Sequence, residues 1–261
     1  MNLDLTGKSA VVCGSTQGIG KASAIELAAL GADITLIARD EKKLKAVIKA
    51  LPTPAGQKHD YLVADFNFPE NLKSGLEKHF AKDMAQILVN NTGGPASGLA
   101  IDATLDEFTK AFTNHLLCNQ ILVQSLLPGM KKSKYGRIIN IISTSVKVPL
   151  RGLGVSNTIR GAVANWAKTL SIELAPMGIT VNNVLPGATM TTRLESIIKS
   201  NAEKAGKSYE EAKKDMIAEI PAGRISDASE VAAAVAFLAT PAAGYINGIN
   251  VPVDGGRTGS L

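Results

Sequence analysis

Seven residues near the N-terminus, Gly14-Ser15-Thr16-Gln17-Gly18-Ile19-Gly20, carry the clearest chemical signal in the chain. Glycine lets a backbone turn tightly and approach a ligand closely. A helix that opens on such a turn offers unpaired amides and a partial positive charge to an anion. The cluster follows an apolar run and precedes a helical pattern, the setting of a pyrophosphate cradle rather than of an ordinary strand–helix turn. About 20 residues on, an acid would bond a ribose 2′-hydroxyl. The second apolar run instead ends Ile37-Ala38-Arg39-Asp40, with Ala38 in the acid's place. The Arg39 guanidinium suits a 2′-phosphate, which favours NADP over NAD. The competing reading is a solvated Arg39–Asp40 pair at a helix start.

The elements that must position these residues follow from the apolar pattern. Ser9–Val12, Ile34–Ile37, Tyr61–Val63, Ile87–Val89, Arg137–Ile142, Thr180–Val184 and Asn250–Val253 read as strands. Their near-continuous apolar character predicts burial on both faces. Helical stretches fall near 18–30, 40–50, 69–82, 104–131, 158–175, 190–218 and 227–239, and Thr104–Glu107 and Asp227–Glu230 have the spacing of capping boxes. Strand–helix alternation predicts an α/β fold: a Rossmann-type, doubly wound, seven-stranded parallel sheet with helices on both faces. Within 158–175, Ile159, Val163, Trp166, Leu170 and Leu174 mark one apolar face, read as core with part available to a dimer seam. With no repeat or linker in view, residues 1–261 read as one domain. The charged stretch 190–220 reads either as a solvated helical surface or as a lid over the substrate.

Composition removes other classes. The chain is 45% hydrophobic and 20% charged, so disorder and fibrous folds are excluded. A net charge of +5 is scattered and aromatics are only 4%, which argues against a nucleic-acid partner. Cys13 and Cys118, with His59, His79 and His115, show no metal-ligand spacing, so no metal is expected. No signal peptide and no membrane-length apolar run is apparent, and the expected location is the cytoplasm.

The G-x-x-x-G-x-G spacing resembles that of the short-chain dehydrogenase/reductase family, and the resemblance runs along essentially the whole chain. Asn90-Asn91-Thr92-Gly93, Gly136–Ile141, Asn182–Gly187, Ile246–Gly248 and Val253–Gly256 resemble further family segments, with the 3-oxoacyl-carrier-protein reductase branch nearest. The resemblance implies cofactor contacts from Gly14, Ser15, Gln17, Gly18, Ile19 and Gly20. It also implies an adenine contact at Asp65-Phe66, further cofactor contacts from Asn90, Asn91 and Gly93, and a nicotinamide environment from Pro186, Gly187 and Thr189. The family's catalytic residues are Asn, Ser, Tyr and Lys. Ser143 matches the Ser. Counting back from Gly161-Ala162-Val163, Arg160 takes the Lys position and Ser156 the Tyr position. Counting back from Leu127–Met130, His115 falls where Asn is expected, with Asn114 adjacent, so that a one-residue slip restores the Asn.

The expected function is therefore an NADP(H)-dependent reductase of a small carbonyl or acyl substrate. In it Ser143 and Ser156 polarise the oxygen, Arg160 holds the ribose, and His115 or water supplies the proton. For His115 the competing reading is a core histidine bonded to a backbone carbonyl. The alternative function is a non-catalytic NADP(H)-binding sensor or partner subunit. The resemblance also implies a homotetramer or homodimer.

Overall fold

In the computed structural model, which describes residues 1–80 and 84–260, seven parallel strands form one sheet. They are β1 (Ser9–Cys13), β2 (Asp33–Ala38), β3 (Asp60–Val63), β4 (Ile87–Asn90), β5 (Gly136–Ile141), β6 (Ile179–Pro186) and β7 (Asn250–Val253), in spatial order β3-β2-β1-β4-β5-β6-β7. β1, β4 and β5 are almost wholly buried, as their apolar runs require. The chain leaves β1 toward β2 and β3, then returns to the other side of β1 as β4. A crevice opens outside the carboxyl ends of β1 and β4 at that reversal, where ligands bind such sheets.

The helices are α1 (Gly18–Ala29), α2 (Glu41–Ala50), α3 (Pro69–His79), α4 (Leu105–Phe112), α5 (Cys118–Ser133), α6 (Gly154–Leu174), α7 (Thr192–Ala205), α8 (Tyr209–Ala218) and α9 (Ala228–Ala239). One face of the sheet buries Ala24 and Leu27 of α1, Leu44 and Val47 of α2, and Val231 and Val235 of α9. The other buries Leu72 and Leu76 of α3, Leu122 and Leu126 of α5, and Ala167 and Leu174 of α6. Burial of this kind contributes roughly 25 cal/mol per Å² of apolar surface, and it anchors the strand ends on which the crevice stands.

Three departures from the sequence reading matter. Residues 104–131 form two helices joined by a π-helical turn at Thr113–Leu117, and that turn carries Asn114 and His115. The stretch 190–218 divides at Gly206, which adopts φ +62° at the end of α7, and a capping box between Ser208 and Glu211 starts α8. α6 begins at Gly154 rather than 158. The stretch expected to be helical through residue 82 is described as helix to His79, and 81–82 lie outside the described residues. No described helix is long and apolar enough to cross a membrane, and no described cluster of His, Cys, Asp or Glu has the makings of a metal site.

Candidate active site

The crevice is a cleft of about 1550 Å³. At one end, Gly14 holds φ +58°, and a Cβ there would stand 2.7 Å from Asn91 Nδ2. Asn91, just past β4, donates through that nitrogen to the carbonyl oxygens of Cys13 and Gly14, both at 3.2 Å, and so ties the glycine turn to the sheet. A Cβ on Gly20 would run into the Gly14 carbonyl oxygen. The first turn of α1 has neither an acidic residue nor a side-chain cap at Gln17. Gln17, Gly18 and Ile19 line the cleft at this uncapped helix start, a cradle with space and positive potential for a diphosphate. Ser15 and Gly20 do not line the cleft. Ser15 is fully buried and its Oγ donates to the Ile37 carbonyl oxygen at 3.4 Å, so its role is to pack the turn against β2.

Beyond the cradle, Arg39 is exposed on the rim. Asp40 caps α2, its Oδ1 accepting from Lys43 N at 3.0 Å and its Oδ2 standing 3.8 Å from Lys43 Nζ, so the carboxylate is turned toward its own helix. Lys43, not singled out by the sequence reading, joins Arg39 on the rim; it lies one residue short of a helical turn past Asp40. Asp65 and Phe66 line the same end. Asp65 Oδ1 accepts from Asn67 Nδ2 at 2.9 Å, and Asn67 Oδ1 accepts from Asn114 Nδ2 at 3.1 Å.

Farther along, Gly93, Ser143, Ser156, Arg160, Pro186, Gly187 and Thr189 line the cleft. Ser143 caps a short 3-10 turn, Thr144–Val146, and its Oγ accepts from Ser145 N at 3.1 Å, which leaves its own proton free to donate. Ser156, buried on the first turn of α6, has no hydrogen-bond partner among the described residues. Arg160, one turn further and 8% exposed, donates from Nη1 to the Ile141 carbonyl oxygen at 2.8 Å, while its Nε has no partner among the described residues. Burial, with a smaller contribution from Arg193, pulls its pKa down to about 10. Thr189 is buried and bonded to Ser226 Oγ at 3.0 Å. None of the four tyrosines lines the cleft. Tyr61 donates to Glu41, Tyr135 to the Ala239 carbonyl, Tyr209 packs in the α7–α8 cluster, and Tyr245 is fully exposed.

The π-helical turn decides which of two neighbours reaches the cleft. Asn114 lines it and His115 does not. His115, 3% exposed, faces a separate void of about 10 Å³ together with Asn90, Asn119 and the back of Arg160. Burial first, then Arg160, holds its pKa well below the ordinary imidazole value, against the opposing effect of a bond to the Gly93 backbone. A neutral, enclosed imidazole is a poor proton donor at neutral pH. Asn90 likewise faces the void rather than the cleft. It begins a row of amides that sequence reasoning did not find. Asn90 Nδ2 donates to Asn140 Oδ1 (2.8 Å), Asn140 Nδ2 to Asn183 Oδ1 (2.9 Å), and Asn183 Nδ2 to Asn250 Oδ1 (2.8 Å), straight across β4–β7.

The sheet order and the cradle at its switch point define a Rossmann-type nucleotide-binding fold. The family model described as enoyl-(acyl carrier protein) reductase matches residues 14–258, and the chain belongs to the short-chain dehydrogenase/reductase family. It is 35% identical over 254 residues to the 3-oxoacyl-[acyl-carrier-protein] reductase FabG of Haemophilus influenzae, covering 97% of this chain and 98% of that protein. It is 28% identical to the NADPH-dependent reductase BacG of Bacillus subtilis, covering 98% and 100%. The structure of L-sorbose reductase from Gluconobacter frateurii, complexed with NADPH and L-sorbose, superposes with a TM-score of 0.93 at 28% identity over 100% of both chains.

Proposed function

We propose that the protein is an NADP(H)-dependent reductase of a small carbonyl or acyl compound, working without the family's tyrosine and lysine. The observation that carries this reading is one continuous cleft with an uncapped helix N-terminus at one end and the free Ser143 and Ser156 hydroxyls at the other. The residues present fit the cofactor: Gly14, Gln17, Gly18 and Ile19 would hold its diphosphate, and Arg39 and Lys43 its 2′-phosphate. Asp65 and Phe66 would meet the adenine, and Asn91, Gly93, Arg160, Pro186, Gly187 and Thr189 its nicotinamide half. When bound, it supplies hydride. The NADPH-dependent relatives support the same choice.

Ser143 and Ser156 then donate hydrogen bonds to the oxygen as it gains charge. Arg160 keeps a positive charge behind the site that cannot be given up as a lysine proton can. The proton comes from water, because His115 is neutral and walled off. Residues 190–220, with α7 and α8, act as the lid of a single-domain protein. The assembly is a homotetramer or homodimer, and the two free cysteines suit the cytoplasm.

The test follows NADPH absorbance with a panel of ketones, β-keto thioesters, quinones and imines. Turnover above background is expected for at least one class, and NADPH binding with no turnover for any would favour the non-catalytic reading, to which the absence of a cleft tyrosine lends weight. A paired variant, Ser156→Tyr with Arg160→Lys, restores a phenol and an amine. A gain of about 10²-fold or more in ketone reduction is expected if the proton donor is what the cleft lacks.

A further inference from the structure

The charges in the cleft are unevenly distributed. Asp40 and Asp65 lie at the Arg39 end. On the lid side, Asp215 is paired with Lys207 at 2.6 Å and Glu219 with Arg257. The remaining charged side chains of the cleft are cations: Arg151, Arg160 and Arg193, the first and second close in sequence to Ser156, and Lys110 and Lys204 line it without an ion pair among the described residues. Arg160 is the informative member, because it is more than nine-tenths buried and its Nε has no partner among the described residues. A buried guanidinium ordinarily has a counter-charge.

Two exposed arginines line the cleft, and one of them is tethered. Arg193, on the first turn of α7, donates from its two Nη atoms to the carbonyl oxygens of Gly94 and Pro95, at 3.1 and 2.5 Å. The same loop runs on to Gly98, which is bonded on both sides of Arg151's neighbours: Gly98 N to the Gly152 carbonyl at 2.8 Å, and Gly154 N to the Gly98 carbonyl at 2.9 Å. Arg193 and Arg151 therefore stand at the two ends of one short segment, Gly94–Gly98, which spans at most about 14 Å when extended. Ser97 of that segment lines the cleft between them. The cofactor's diphosphate has its own cradle on α1, so this second positive site calls for a different anion.

We infer that the substrate is itself an anion, a carbonyl compound bearing a carboxylate that Arg193 and Arg151 hold at the rim above Ser143 and Ser156, in front of Arg160. The inference rests on the reductase reading above. In the reaction the carbonyl carbon gains a C–H bond by accepting hydride from NADPH. Its π pair becomes an alkoxide that takes a proton from water, and NADP⁺ is released as the oxidised product. The carboxylate is unchanged and serves only as the handle: the Arg151 fork matches its two oxygens, and Arg193, whose Nη atoms already donate to Gly94 and Pro95, adds its fixed charge.

The test uses the protein loaded with NADPH and pairs of keto acids with their methyl esters, such as acetoacetate and methyl acetoacetate, pyruvate and methyl pyruvate. Binding is read by quenching of bound-nucleotide fluorescence and by saturation-transfer NMR, and turnover by absorbance where it occurs. Acids are expected to bind about tenfold or more tightly than their esters, with the preference falling as salt is raised. The Arg151→Gln/Arg193→Gln pair of substitutions is expected to abolish most of that preference. Esters binding as well as acids, or no acid binding at millimolar concentration, would overturn the inference. So would a variant that loses NADPH affinity as steeply as acid affinity, which would assign these arginines to the cofactor. Failure of the unaltered protein to bind NADPH at all would instead remove the reductase reading.

Discussion

Arg160 Nη1 donates to the Ile141 carbonyl oxygen at 2.8 Å, so among the described residues a permanent cation is held against the end of β5 by a neutral backbone group. Removing a full charge from water costs several kcal/mol that one carbonyl does not offset. Arg160→Met keeps the stem and deletes the charge. It is expected to raise the unfolding free energy by about 1 kcal/mol or more, measured by urea denaturation. The same variant is expected to weaken NADPH binding, so stability and function should move in opposite directions.

His115 gives a pH signature with a definite sign. Its folded pKa lies well below 6.5 while the unfolded imidazole titrates near that value, so below it the unfolded chain binds a proton that the folded one refuses. Stability from this residue is fully present above the unfolded pKa and is lost as pH falls, by up to about 1.4 kcal/mol per pH unit. His115→Asn is expected to flatten the pH dependence of urea stability between about pH 7 and pH 5 relative to the unaltered protein. An unchanged slope would show that the ring is not kept neutral.

Arg39 and Lys43 share the rim while Asp40 is engaged in capping α2. Deleting a charge-assisted contact to a phosphate costs about 1.5–3 kcal/mol. Arg39→Ala is therefore expected to weaken NADPH binding by about 10- to 100-fold and to leave NADH binding nearly unaltered. Parallel fluorescence titrations with the two nucleotides check this, and an equal loss for both would mean Arg39 does not read the 2′-phosphate.

The strands and their parallel order were legible because each is a short apolar run buried on both faces, as Val11–Cys13 and Leu88–Val89 are. The glycine cradle was legible from its strand–turn–helix setting. Finer placement was not. A π-helical turn adds a residue to the winding without changing the apolar pattern, so whether Asn114 or His115 meets the cleft depends on one hydrogen-bond register that no periodicity records. Ser15 sits in a loop, where neighbouring side chains turn opposite ways for reasons of packing. Gly154 reads as a breaker, yet it opens α6, and its lack of a Cβ lets the Ala100 backbone pack against it. Arg193 fell within a charged stretch, and its two carbonyl partners lie about a hundred residues upstream.

The asparagine row was invisible for the same reason, since it joins residues 50, 43 and 67 positions apart. Its energetics are nevertheless plain once the strands are paired. Asn140 is fully buried and both donates and accepts within the row, so Asn140→Ala strands the Asn90 nitrogen and the Asn183 oxygen without partners. Each buried orphan costs about 1–3 kcal/mol, and the variant is expected to lose about 2–5 kcal/mol in urea unfolding. The row runs head to tail and ends at Asn90 Oδ1, which has no partner of its own among the described residues, and Asn90 lines the void behind Arg160. Chained amides polarise one another in a low-dielectric interior, so the oxygen end carries more negative potential than an isolated amide would. Breaking the chain at Asn140 should therefore weaken NADPH binding as well as stability. Asn183→Ala, which cuts the row farther from Arg160, should cost comparable stability with a smaller loss of nucleotide affinity, and equal losses of affinity in the two variants would assign the row to folding alone.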